Sequence, residues 1–118
     1  MRWTEAEAPA PIVESYTFQV YVRDRMIYDV VLSRGAQKDL RSAPRHVVTK
    51  LLYWLGEVEA HGLEETRKQP GFHDEPLKGR RQGQRSIRLS RAYRAIYVIR
   101  RGGAVEFVCV EEVSKHDY

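Results

Sequence analysis

The fold is decided by residues 85–113, which read RSIRLSRAYRAIYVIRRGGAVEFVCVEEV. Apolar and polar residues alternate in three segments of this stretch, RSIRLS, YRAIYVI and AVEFVCVEEV, and such alternation is typical of β-strands. Arg91 and Ala92 form the first predicted turn between them. Residues 100–103 (RRGG) form the second, because glycine adopts the positive φ angles of tight hairpins. The stretch therefore predicts an antiparallel, three-stranded meander.

The segment before the meander predicts two helices. Ser33 is a suitable N-cap for a short helix that ends near Ser42, ahead of Pro44. A longer helix is predicted from Arg45 to about Ala60. Its apolar residues recur at helical spacing on one face, namely Val47, Leu51, Trp54 or Leu55, and Val58. This apolar face predicts a helix that packs on the sheet, with Trp54 in the core.

The remaining segments complete the predicted order of elements. Gly62 follows His61 and is expected to end the long helix in the left-handed conformation. Residues 63–69 predict one or two further helical turns, and residues 70–84 predict a loop, since they contain two prolines and three glycines. Ahead of the helices, residues 26–32 (MIYDVVL) predict a strand. The order βααβββ indicates an α+β fold, an antiparallel sheet with two helices on one face.

Length and composition indicate one water-soluble domain. The chain has 118 residues, of which 42% are hydrophobic and 31% charged. No apolar run approaches the roughly 20 residues that a membrane-spanning helix needs. The first residues lack the apolar region of a signal peptide. Cys109, the only cysteine, excludes a disulfide framework and is expected to be a buried apolar side chain. Together these features predict a cytoplasmic protein.

Positive charge is concentrated in one part of the chain. The formal net charge is +4, yet residues 78–101 contain no Asp or Glu. Their basic residues are Lys78, Arg80, Arg81, Arg85, Arg88, Arg91, Arg94, Arg100 and Arg101. A block of one sign repels itself unless an anion is present, and arginine suits bidentate contacts with phosphate. The block predicts a phosphate-rich partner; the alternative is a solvated basic surface.

The last four residues carry groups that can exchange protons or bind anions: Lys115, His116, Asp117 and Tyr118. In an antiparallel meander, the end of the last strand lies beside the start of the strand before it. We therefore expect these residues to lie near Tyr93 and Arg94, and on the same side as Arg88. The alternative is a solvated chain end.

Such a cluster suits the cleavage of RNA. The 2′-hydroxyl group can attack the adjacent phosphorus, so the enzyme has to remove its proton, stabilise the extra negative charge and protonate the leaving 5′-oxygen. Histidine titrates near neutral pH and can serve as the base or the acid. Arginine can bind the phosphate oxygens, and tyrosine can stack on a base or assist proton transfer.

Three segments carry a resemblance to a known family: MIYDVVLSRGAQKDL, LKGRRQGQRSIRLSRAYRAIYVI and VEEVSKHDY. They resemble the RelE/HigB/ParE superfamily of toxins from type II toxin–antitoxin systems, and the HigB-like branch in particular. The resemblance covers residues 26–118. It implies a compact βααβββ fold of the microbial-RNase type and metal-free cleavage of mRNA, usually on the ribosome, without a cofactor. It also implies a tightly bound antitoxin with a helix-turn-helix DNA-binding domain, through which alone the toxin would reach operator DNA.

The resemblance also implies site residues. Lys78 matches the lysine of the family's basic loop, Arg88 the arginine of its SIRL strand, and Arg94 the arginine after the aromatic residue of the next strand. At the C-terminus, His116 could take the place of the family's late histidine, or Tyr118 that of its late tyrosine. The predicted catalytic residues are Lys78, Arg88, Arg94, His116, Asp117 and Tyr118. The predicted RNA-binding residues are Arg80, Arg81, Arg85, Arg91, Tyr93 and Lys115.

Residues 1–25 depart from the family pattern, because its members usually begin where Met26 stands. This N-terminal extension could reflect a wrongly chosen start codon, a segment that covers the groove, or an added edge strand. The alternation in residues 17–22 (TFQVYV) favours the added strand. Residues 26–118 are the predicted toxin domain.

Two other functions fit the same pattern. A ParE-like inhibitor of DNA gyrase would share the fold but would need no acid–base residues. A non-catalytic nucleic-acid-binding module would keep the basic residues alone. The sequence favours an endoribonuclease, since it offers both the cations and the proton-transfer groups.

Overall fold

The predicted meander is present in the computed structural model, which describes residues 26–103 and 105–115. The described helices are α1 (Arg34–Ser42), α2 (Arg45–His61) and α3 (Leu63–Arg67). The strands are β1 (Val30–Leu32), β2 (Glu75–Pro76), β3 (Arg85–Arg88), β4 (Tyr93–Gly102) and β5 (Val105–Lys115). Short 3-10 turns at Pro70–Phe72 and Gly79–Arg81 lie on either side of β2. The α+β class is confirmed.

The strands form one five-stranded sheet in the order β1-β5-β4-β3-β2. β4 pairs antiparallel with both β3 and β5, as the meander requires. β1 pairs with β5 in parallel, with Val31 opposite Cys109. The prediction of a wholly antiparallel sheet is therefore wrong. In the sequence, α1 and α2 separate β1 from the other strands. This long connection allows β1 and β5 to run in the same direction.

The helices pack on one face of the sheet, as predicted. The predicted face of α2 is buried, with Val47, Leu51, Trp54 and Val58 all at 0% exposure. The Trp54 ring lies 5.4 Å from the ring of Tyr97 on β4. Burial of each such side chain contributes roughly 1.5–3 kcal/mol to folding. A smaller apolar cluster of Val31, Phe107, Cys109 and Val98 forms separately, and Cys109 is buried as expected.

The predicted N-cap of α1 and the predicted end of α2 at Gly62 are confirmed, but the predicted left-handed conformation of Gly62 is not. Ser33 accepts a hydrogen bond from the backbone N–H of Ala36 and donates one to the carbonyl of Glu111. Gly62 ends α2 with φ 88° and donates its N–H to the carbonyl of Val58. Its ψ of 157° is extended rather than left-handed helical. This difference follows from its position, because Gly62 also precedes α3 directly.

The strands differ from the prediction at four places. β1 covers only Val30–Leu32 of the predicted segment 26–32, and β2 lies in the predicted loop. The first hairpin loop spans residues 89–92, where Ser90 Oγ accepts hydrogen bonds from Ala92 and Tyr93. Arg100 and Arg101 belong to β4 and pair with Phe107 and Glu106, so the second turn lies further along, at Gly103.

Some predictions fall outside the described residues. These are the strand at residues 17–22, the role of the extension 1–25, and the placement of residues 116–118. Within the described ranges, no helix is long and apolar enough to cross a membrane.

Candidate active site

A cavity of about 170 Å³ lies where β2, β3 and the start of β4 meet. Its lining residues are His73, Glu75, Ser86, Ile87, Arg88, Tyr93 and Arg94. Three of these, Arg88, Tyr93 and Arg94, are predicted site residues. The short β2 brings Glu75 opposite Ser86 of β3, which places a carboxylate at the same cavity as two arginines. The cavity thus combines cations with groups that can exchange protons.

Arg88 and Arg94 lie directly opposite each other on β3 and β4. Their neighbours Ile87 and Ala95 are fully buried in the helix-covered core, so alternation turns both arginines to the other face. Directly opposed residues have Cβ atoms about 4.5–5.5 Å apart, and like charges in such a pair are destabilising. The sheet therefore holds two cations in an unfavourable arrangement, which an anion between them would relieve.

The hydrogen bonding of Arg94 points to the same conclusion. Its Nε atom is buried but makes no hydrogen bond with any described residue. An unmet buried donor of a charged group costs roughly 1–3 kcal/mol or more. Neither Arg94 nor Arg88 forms an ion pair with a carboxylate of the described part of the chain. A bound phosphate oxygen is the kind of acceptor that both would bind.

His73 and Glu75 are site residues that the sequence analysis missed. His73 has a left-handed backbone (φ 47°, ψ 50°), which is unusual for a residue with a side chain and is enriched at functional sites. Glu75 belongs to β2, and both side chains are exposed. The sequence does contain a signal for them, because the polar residues HDE (73–75) interrupt the predicted loop at residues 70–84. No alternation there predicts the strand β2, which brings Glu75 to the cavity.

The basic block is partly neutralised within the protein, so fewer of its charges are available to a phosphate-rich partner than the sequence indicates. Four of its arginines pair with carboxylates from other segments. The pairs are Arg81–Glu112 (3.0 Å), Arg85–Asp74 (2.7 Å), Arg100–Glu111 (2.8 Å) and Arg101–Glu106 (4.0 Å). The sequence could not show them because the carboxylates lie outside residues 78–101.

Arg85 belongs to a buried network beside the cavity. The side chain of Asp74 is 1% exposed and accepts hydrogen bonds from Arg85 Nε and, at 2.6 Å, from the Tyr97 hydroxyl. Burial lowers the pKa of Arg85, but the hydrogen bond and charge of Asp74 outweigh this, and the net pKa is raised. Burial, then the charge of Asp74, raises the pKa of Tyr97. This network fixes the start of β3 and the segment between His73 and Glu75.

The other predicted residues do not line the cavity. Lys78, Arg80 and Arg91 are exposed in the loops that follow β2 and β3. Lys115 ends β5 opposite Tyr93, so the predicted approach of the C-terminal segment to Tyr93 and Arg94 is confirmed as far as Lys115. The predicted side is not, because alternation turns Lys115 to the face of Tyr93 and not to that of Arg88. His116, Asp117 and Tyr118 come after it, outside the described residues. Among those described, no group of three or more His, Cys, Asp or Glu side chains is placed to hold a metal ion.

Comparison with known proteins identifies the fold. No family model and no curated protein matches the sequence. YafQ from E. coli strain BL21(DE3) superposes with a TM-score of 0.59 at 19% identity, over 75% of this chain and 92% of YafQ. A YoeB/ParE toxin from Agrobacterium tumefaciens gives 0.53 at 21% identity, over 75% of this chain and 99% of that one.

A third similar structure contains an antitoxin. The E. coli DinJ–YafQ toxin–antitoxin complex gives a TM-score of 0.57 at 20% identity, over 75% of this chain and 91% of the matched one. The resemblance to the RelE/HigB/ParE superfamily is thereby confirmed for the fold, while the HigB-like branch stays a prediction. The described chain has the α+β fold of the RelE/YoeB-type toxins.

Proposed function

We propose that this protein is the toxin of a type II toxin–antitoxin system and cleaves mRNA as an endoribonuclease without a metal ion. The observation that carries the proposal is the cross-strand pair of Arg88 and Arg94, together with the buried Nε of Arg94, which has no hydrogen-bond partner among residues 26–103 and 105–115. A scissile phosphate would bind between the two guanidinium groups. They would also stabilise the charge that develops on its oxygens.

The reaction needs a base and an acid in addition to the arginines. The base removes the proton of the 2′-hydroxyl, the oxygen attacks phosphorus to form a cyclic phosphate, and the acid protonates the leaving 5′-oxygen. The described residues offer His73 and Glu75 at the cavity. The segment after Lys115 supplies His116, Asp117 and Tyr118, which stay candidates for the same roles. Lys78 and Lys115 lie outside the cavity lining and would contact other phosphates of the RNA strand.

The proposed partners follow from the same comparison. The solved DinJ–YafQ complex pairs a toxin of this fold with an antitoxin, which supports an antitoxin partner here. We expect that antitoxin to carry a helix-turn-helix domain and to bring the complex to operator DNA. The mRNA is expected to be bound on the ribosome, so cleavage would inhibit translation in the cytoplasm. A neighbouring reading frame for a small helix-turn-helix protein would support this assignment.

The deciding experiment measures cleavage of ribosome-bound mRNA by the purified protein. We expect cleavage by the unaltered chain and a loss of about 100-fold or more in Arg88→Ala, because one charge-stabilising group is removed. Arg41→Ala is the matched control, since Arg41 is an exposed arginine on α1, away from the cavity. Absence of cleavage by the unaltered protein would overturn the ribonuclease, and inhibition of DNA gyrase would then favour the ParE-like alternative.

A further inference from the structure

The exposed side of α2 carries a second basic surface. Five residues at helical spacing, Arg45, His46, Thr49, Lys50 and Tyr53, line an open cleft there. Tyr53 is 55% exposed and is one of the large hydrophobic residues that the described surface leaves open to solvent. Neither Arg45 nor Lys50 forms an ion pair with a described carboxylate. We call these five residues the α2 surface.

The α2 surface is joined to the cavity through Phe72. The Tyr53 ring stacks on the Phe72 ring at 6.0 Å between centroids, and Lys50 Nζ lies 5.2 Å from the same ring. Phe72 itself is buried, and the next residue, His73, lines the cavity. The 3-10 turn Pro70–Phe72 therefore connects the two surfaces around the β2 edge of the sheet.

Two features of the α2 surface fit a nucleic acid. Arg45 and His46 occupy the first turn of α2, where no acidic residue offsets the positive end of the helix dipole. Cations beside an exposed tyrosine ring are the combination by which proteins hold single-stranded RNA, with phosphates on the cations and a base on the ring. An acidic peptide would satisfy the charges but would not explain the exposed ring or the continuity with the cavity.

We propose that the α2 surface is a second contact for the RNA strand whose scissile phosphate occupies the cavity. The strand would pass the Phe72–His73 segment and place flanking nucleotides on Lys50 and Tyr53. This inference rests on the proposed function in that it takes the cavity as the site of cleavage. The α2 surface would raise the affinity for longer RNA strands and would take no part in the chemical step.

Binding of two RNA oligonucleotides tests the proposal. Both carry 2′-O-methyl groups, which prevent cleavage, and they contain about 4 and about 12 nucleotides. The variant Lys50→Gln/Tyr53→Leu removes a charge and an aromatic ring but keeps an apolar contact for Phe72. We expect about tenfold weaker binding of the long oligonucleotide and unchanged binding of the short one. The log–log salt dependence should fall by about 0.7 for the lost phosphate contact.

Two further variants separate this proposal from the proposed function. Lys38→Gln on α1 is the matched control for charge, and Arg88→Ala should weaken binding of both oligonucleotides. Equal affinity of the double variant and the unaltered chain for the long oligonucleotide would overturn the second contact, even where Arg88→Ala abolishes cleavage. The two proposals can also fail separately in the other direction. If the double variant binds the long oligonucleotide more weakly but the unaltered protein cleaves no mRNA, the second RNA contact is supported and the ribonuclease is overturned.

Discussion

Two arginines of β3 have different surroundings, because Arg85 pairs with a buried carboxylate and Arg88 faces the cavity. Arg85 and Arg88 both belong to β3, and the charge pattern alone makes them equal candidates for binding phosphate. Alternation correctly predicted that Arg88 leaves the core, and it is exposed. The pairing of Arg85 with Asp74 depends on where residues 70–76 fold, which no local pattern indicates. The pairing of β3 with β4 follows from the meander, but its register does not. The predicted two-residue turn would place Arg88 opposite Ala95, whereas the longer loop at residues 89–92 places it opposite Arg94.

The hydrogen bond from Tyr97 to Asp74 makes stability depend on pH. Burial and the Asp74 charge raise the pKa of Tyr97 above its ordinary value of 10.0. The folded protein therefore keeps the phenol proton at a pH where the unfolded chain loses it, so the free energy of unfolding falls as the pH rises above 10.0. Tyr97→Phe should lack this decline. At neutral pH it should cost about 1–3 kcal/mol, because Asp74 loses a hydrogen bond.

Urea unfolding of both proteins at neutral pH and above the ordinary tyrosine pKa measures this effect. We expect the stability difference between them to shrink at the higher pH. Tyr53→Phe is the control, since Tyr53 is 55% exposed, and it should leave stability nearly unchanged. A difference that stays constant with pH would contradict the role given to Tyr97.

Glu75 allows a test of proton transfer at the cavity. If its carboxylate acts as base or acid, Glu75→Gln should lower the cleavage rate by about 100-fold or more and remove one limb of the pH–rate profile. RNA binding should be retained, because the substitution removes a negative charge from a phosphate site. Glu106→Gln, at an exposed position on β5, is the control. A pH–rate profile unchanged in shape would exclude Glu75 from proton transfer.

At the scale of elements, the long periodic segments were predictable and the short ones were not. α2 was predicted almost to its last residue because its apolar face repeats over about three turns, from Val47 to Val58, and a glycine ends it. β2 has two residues, Glu75 and Pro76, which are poor strand formers and show no alternation. β2 forms because the edge of β3 is available for backbone pairing, so the strand depends on tertiary structure and not on local sequence. The site residues His73 and Glu75 were missed for the same reason.

Substitution by alanine should change stability in opposite directions at Gly56, inside α2, and at Gly62, at its end. Gly62 has φ +88°, and an added Cβ would lie 2.7 Å from Met26 Cε, so Gly62→Ala should cost about 1–3 kcal/mol. Gly56 lies inside α2, with no atom within 4 Å of an added Cβ. Gly56→Ala should therefore stabilise the protein by about 0.5–1 kcal/mol. Thermal unfolding would measure both, and stabilisation by Gly62→Ala would contradict the strained junction.

At the scale of the whole molecule, the meander determines where the chemistry lies. Its register places Arg88 opposite Arg94, Arg94 opposite Ser114, and Lys115 opposite Tyr93. Elements far apart in sequence thus meet at one end of the sheet. This convergence was predictable from antiparallel pairing alone. The parallel pairing of β1 with β5 was not, because it depends on how the helices return the chain to the sheet.

The same register gives the last prediction. Deletion of residues 116–118 removes three candidate proton-transfer groups but leaves β5 intact through Lys115, which closes its pairing with β4. We expect cleavage of ribosome-bound mRNA to fall by about 100-fold or more, as for loss of a general acid or base, with little change in melting temperature. Deletion of the same residues with full retention of cleavage would assign proton transfer to His73 and Glu75. A large fall in melting temperature would instead show that the segment supports the fold, and His116→Gln would then test its chemistry without removing the chain.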